Sequence, residues 1–130
     1  MFRTQPGFNT PMEPVDALPV VIALVRDLMF SSKISSTGRA MGIPVKMVRD
    51  PAQLGSQPAQ CLIVDLNQDS VIPAAMQWRQ TIGNPVIGFV SHVDTAAIAA
   101  ARQAGIDRVM PRSQFVTMLP TILQEAAAKV

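Results

Sequence analysis

The run Val20-Val21-Ile22-Ala23-Leu24-Val25, closed by Arg26-Asp27, decides how the rest of the chain is read. It is apolar throughout, largely β-branched and without alternation, as expected of a strand covered on both faces. It is also far shorter than the roughly 18 apolar residues that cross a membrane. Two further runs repeat the pattern: Cys61-Leu62-Ile63-Val64, ending in Asp65, and Val86-Ile87-Gly88-Phe89-Val90, ending before Ser91-His92. Pro44 to Val48 reads as a shorter edge strand with proline at its first position, where it is tolerated. Asp107 to Met110 reads as a short last strand, followed by Pro111-Arg112.

The segments between these runs change period. Leu28, Met29, Ile34 and Met41 recur at helical spacing and stop at Gly42. Asp50 to Gln60, with Pro51, Gly55 and Pro58, has room for a turn or two of helix. Ile72 to Ile82 predicts a helix that carries a half-buried Trp78 and is closed by Gly83-Asn84. Thr95 to Ala104 is an alanine-rich helix ended by Gly105, and Ser113 to Ala128 is a terminal helix that Pro120 should kink or restart. Strands that alternate with helices in this way predict an α/β three-layer αβα sandwich around a parallel sheet.

Composition narrows the chemistry. Of 130 residues, 48% are apolar and 15% charged, which suits a packed domain. The proline-rich stretch 1–18 is expected to be a flexible arm, and 19–130 one domain. Met1 to Pro19 lacks the apolar core of a signal peptide, so a cytoplasmic protein is expected, with no membrane contact. A formal charge of +2 with scattered basic residues is too small a bias for a nucleic-acid surface. One cysteine and one histidine exclude a disulfide framework and a Cys- or His-rich metal cluster. Cys61 opens a buried strand and reads as a structural thiol; the eight methionines read as core filler. No glycine lies between Arg26 and Phe30, so a phosphate-cradling loop after the first strand is excluded.

In open α/β sheets function gathers beyond the carboxyl ends of the strands. Those ends carry Arg26-Asp27, Asp65, Ser91-His92 and Arg112, so two carboxylates, an imidazole, a hydroxyl and two guanidinium groups converge on one rim. A hydrolase triad of Ser91, His92 and Asp65 is disfavoured, because there is no G-x-S-x-G elbow and adjacent Ser91 and His92 side chains diverge.

Four of these stretches, in register, resemble the receiver domains of two-component response regulators. Ile22 to Ile34 is similar to their opening strand and helix, and Leu62 to Asn67 to their third strand. Pro85 to Ser91 is similar to their fourth strand, and Ala104 to Arg112 to their fifth. The resemblance covers residues 19–130 and implies a flavodoxin-like fold with five parallel strands in the order 2-1-3-4-5. It implies that Asp65 is the candidate phosphoacceptor and that Asp27, Asp65 and the Asn67 carbonyl are candidate Mg²⁺ ligands.

The departures are specific. Arg26 stands where receivers carry a second acid, Val90 where they carry a threonine or serine (Ser91 follows one step later), and Arg112 where they carry a lysine. An inward Arg26 would pair with Asp27 or Asp65 in place of a metal, whereas an outward one would leave a weak Mg²⁺ site. The leading expectation is a stand-alone, phosphorylation-independent receiver-like domain with no cofactor and no catalytic activity beyond autophosphorylation. It would meet a kinase or output protein in trans. The alternatives are an orthodox receiver phosphorylated on Asp65 with Mg²⁺ in a phosphorelay, and a small-molecule binder on the same rim. A homodimer through the helices at 95–104 and 113–128 is a further expectation; the alanine-rich face suits it and suits plain packing equally.

Overall fold

The computed structural model describes residues 19–68, 70–91 and 95–129; the expected arm over 1–18 and the candidate His92 lie outside them. The chain runs β1 (Val21–Leu24), α1 (Leu28–Ala40), β2 (Val45–Val48), a 3₁₀ turn (Pro51–Gln53), β3 (Cys61–Asp65), α2 (Val71–Ile82), β4 (Val86–Val90), α3 (Thr95–Ala104), β5 (Arg108–Pro111) and α4 (Arg112–Ala127). The strands form one sheet in the order β2-β1-β3-β4-β5, and every pairing is parallel. Leu24 pairs with both Val48 and Val64, so the residues that follow β1 and β3 leave the sheet side by side.

The alternation of side chains feeds two cores. Val21, Ala23, Ile63, Phe89 and Met110 pack under α1 and α4, while Ile22, Leu24, Leu62, Val64 and Val109 pack under the 3₁₀ turn, α2 and α3. β1 is wholly buried, at about 1.5–3 kcal/mol for each large aliphatic side chain, which explains its unbroken apolar run. Gly88 admits Leu66 from the loop after β3; a Cβ there would stand 2.7 Å from Leu66 Cδ1. α3 ends as its sequence predicts, at Gly105 with φ +113°.

Three local expectations change. The weak segment after β2 forms only a 3₁₀ turn, capped by Asp50 Oδ1 accepting from Ala52 N at 3.0 Å. α4 runs unbroken through Pro120, because buried Phe115 and Leu119 before it and Ile122 and Leu123 after it hold one helical face to the sheet. Trp78 is fully buried rather than half-buried, and its indole N–H donates to the Gln57 carbonyl at 2.7 Å, which removes the need for solvent.

Candidate functional site

The rim beyond the strand ends is built from four short connections. Asp27 turns away from β1 to cap α1: its Oδ1 accepts from Met29 N at 2.9 Å and Phe30 N at 3.2 Å. Its other oxygen, Oδ2, lies 3.4 Å from Arg112 Nη2, at the first residue of α4. The Arg112 guanidinium also sits 4.8 Å from the Phe30 ring centroid. Beneath it Phe30, Phe89 and Phe115 form a three-ring cluster, with centroids 4.7 Å apart for Phe30–Phe89 and 4.8 Å for Phe89–Phe115. A planar guanidinium can stack on an aromatic face while bonding a carboxylate, so arginine, in place of lysine, suits this position. The Arg112 Nε is buried with no partner among the described residues.

Asp65, the last residue of β3, is the one buried charged residue among those described. Its Oδ1 accepts from Asn67 N at 3.0 Å and Asn67 Nδ2 at 2.8 Å, the local turn that Asp followed by a polar residue favours. Asn67 Nδ2 also donates to Ser91 Oγ at 2.7 Å, so β3 and β4 are joined across the rim. No cation pairs with Asp65 among the described residues, and its Oδ2 has no partner there. Val90 ends β4 buried, and the exposed Ser91 follows it, as the sequence register places them.

Arg26 does not turn inward. Its side chain is exposed and lines an open cleft of about 410 Å³ with Met47, Arg49, Asp50 and Gln53. The physical reason is that Asp27 is already spent on the α1 cap and on Arg112, while Val25 N, bonded to Val48 O at 2.9 Å, steers the chain along β2. The expected pairs of Arg26 with Asp27 or Asp65 are therefore absent, and Arg112 holds Asp27 instead.

With Arg26 outward the rim offers at most a weak fit to Mg²⁺, which asks for near-octahedral oxygen ligation. Both Asp27 oxygens and Asp65 Oδ1 already accept from protein donors, and the second acid of the pair is Arg26. No group of three Asp, Glu, His or Cys residues among those described could hold a metal ion. Cys61 lies at the opposite, amino end of β3, and burial pushes its thiol up to about 12, as suits an inert structural cysteine. Sequence reasoning missed Phe30, whose position one turn into α1 beneath Arg112 had no local signal.

The five-stranded parallel sheet and its strand order are similar to those of solved response-regulator receiver domains. The fold is similar to the BeF₃-activated receiver domain of DrrB (TM-score 0.73, 12% identity, 85% of this chain and 98% of that one). It is also similar to the signal receiver domain of the putative response regulator NarL from Mycobacterium tuberculosis (TM-score 0.70, 15% identity, 85% and 98%). The phosphorylated cyanobacterial phytochrome response regulator RcpA gives TM-score 0.70 at 13% identity, over 88% and 97%. No protein-family model matches the chain, and no curated protein matches it in sequence. Among the described residues no helix is long and apolar enough to cross a membrane.

Proposed function

We propose that the chain is a receiver-like signalling domain that works without phosphorylation, through contacts with a protein met in trans. The observation that carries this reading is the Arg112–Asp27 pair: the arginine at the family's lysine position is tied to the one remaining first-strand acid. With Arg26 exposed in place of the second acid, the rim is held together by its own side chains, with no call on a phosphoryl group or a metal. The exposed residues Thr95, Ala96, Ala99 and Ala100 of α3 support self-association, for which light scattering should give twice the 14.0 kDa chain mass.

The test is direct. Wild-type protein incubated with Mg²⁺ and acetyl phosphate should gain no adduct of about 80 Da, the mass of one phosphoryl group, in intact-mass spectra. Arg26→Asp should raise Mg²⁺ affinity by restoring the acidic pair. The second reading, an orthodox receiver, draws on the buried Asp65 with its uncommitted Oδ2. Ready labelling of wild-type protein, abolished by Asp65→Asn, would establish it and overturn the first.

A further inference from the structure

Most of the unpaired positive charge among the described residues lies in one stretch of the chain. Of eleven Lys and Arg residues, five (Arg26, Lys33, Arg39, Lys46 and Arg49) fall between 26 and 49, where Asp27 is the sole acid. All five are exposed, and none has an ion pair among the described residues. Elsewhere Arg79 pairs with Asp107, Arg108 with Glu125 and Arg112 with Asp27, while Arg102 and Lys129 have no ion pair among the described residues.

The same side carries the exposed large hydrophobics of the described residues, Leu28 at 67% and Met29 at 85% exposure. They open α1 directly after Arg26. Leu28, Ser35 and Arg39 are spaced to share one flank of that helix. Ser35 and Arg39 line a cleft of about 340 Å³ with Pro44 and Val45, so this flank borders the edge strand β2. The Arg26–Met47–Arg49 cleft of about 410 Å³ opens at the other end of β2. The α1–β2 seam therefore has apolar side chains along it and arginines at both ends.

We infer that the α1–β2 seam is a docking surface for an acidic, amphipathic segment of a partner protein. Its carboxylates engage Arg26 and Arg49 at one end and Arg39 at the other, and its apolar side chains cover Leu28, Met29 and Met47. Charge complementarity selects the occupant: guanidinium groups take carboxylates in bidentate geometry, and the adjacent apolar residues call for apolar partners. A single-stranded nucleic acid fits less well, because the described phenylalanines and Trp78 are buried and leave no exposed ring for bases to stack on. An anionic membrane fits less well because Asp50 stands between the arginines of the Arg26–Met47–Arg49 cleft. The inference rests on the reading of a domain that acts through protein contacts, and it names the chemistry of the partner.

The experiment is an NMR titration of the full chain with a helical peptide of about sixteen residues, built from glutamate with leucines at i, i+3, i+4 and i+7. Amide shifts should be confined to residues 26–49, and the affinity should fall as salt rises. Arg26→Ala/Arg49→Ala should weaken binding about five- to tenfold, as two surface ion pairs allow, with unchanged circular dichroism. Leu28→Ser should weaken it as well, and the distant Lys129→Ala should not. Equal binding of a glutamine-for-glutamate peptide, shifts outside the seam, or an unaffected double variant would overturn the inference. So would binding to phosphatidylserine vesicles or an oligonucleotide in the absence of peptide binding. Labelling of Asp65 by acetyl phosphate would remove the phosphorylation-independent reading and leave this titration intact; a failed titration would leave the labelling result intact.

Discussion

Gly38→Ala sets two effects of known sign against each other where the end of α1 meets the start of β2. Helix propensity alone would make alanine the better residue, by about 1 kcal/mol in a helix interior. Gly38, however, is buried, and a Cβ there would stand 2.6 Å from Val45 Cγ2 and 3.0 Å from the Ile43 carbonyl oxygen. Neither neighbour can retreat cheaply. Val45 is held in the sheet opposite Val21, and the Ile43 N–H donates to Gly38 O at 2.9 Å. Overpacking of this kind costs about 1–3 kcal/mol, and a backbone atom among the clashes places it in the upper half. The net expectation is a loss of about 1–2 kcal/mol, or a Tm lowered by about 4–8 °C in thermal unfolding followed by circular dichroism. In a double-mutant cycle, Val45→Ala should relieve the clash, giving a coupling of about 1 kcal/mol. A Tm that rises with Gly38→Ala would refute the close approach of α1 to β2 and leave propensity as the whole effect.

Two further predictions concern the opposite side of the sheet. Asp107 accepts from Arg79 Nε at 2.8 Å, Arg79 Nη2 at 2.7 Å and Val86 N at 2.7 Å, and the arginine holds its carboxyl below the ordinary aspartate value. Its stabilising contribution is therefore complete above the unfolded value near pH 4 and lost as pH falls through the lower folded value. The Tm gap between wild type and Asp107→Asn should be widest near neutral pH and shrink as the pH falls below the ordinary aspartate value; a gap that widens on acidification would contradict the pairing. Trp78→Phe removes the indole bond to Gln57 O and leaves unfilled volume, which together cost about 2–3 kcal/mol in denaturant unfolding. Amides of residues 51–57 should lose hydrogen-exchange protection in that variant, and unchanged protection would show that Trp78 does not anchor the 3₁₀ turn.

The order of elements, the parallel sheet and the positions where the strands end were all legible in the sequence. Those follow from local periodicity: a β-branched run such as Val20 to Val25 has few ways to be buried, and Asp65 is polar where the sheet stops. The Asp65–Asn67 turn was equally local, because its partners lie two residues apart. The choices among distant partners were not legible there and came from the folded packing. Asp27 could take Arg26 next to it or Arg112, and packing chose Arg112, 85 residues away, by laying it over the Phe30 ring. Trp78 found its acceptor in Gln57, and Pro120 stayed within α4 because both sides of that helix were already packed. The positive side has the same origin. Among the described basic residues, Arg79, Arg108 and Arg112 meet an acid once folded, while the five between 26 and 49 do not. Local pattern specifies which surfaces a segment must bury, whereas the pairing of charges depends on which segments the fold brings together.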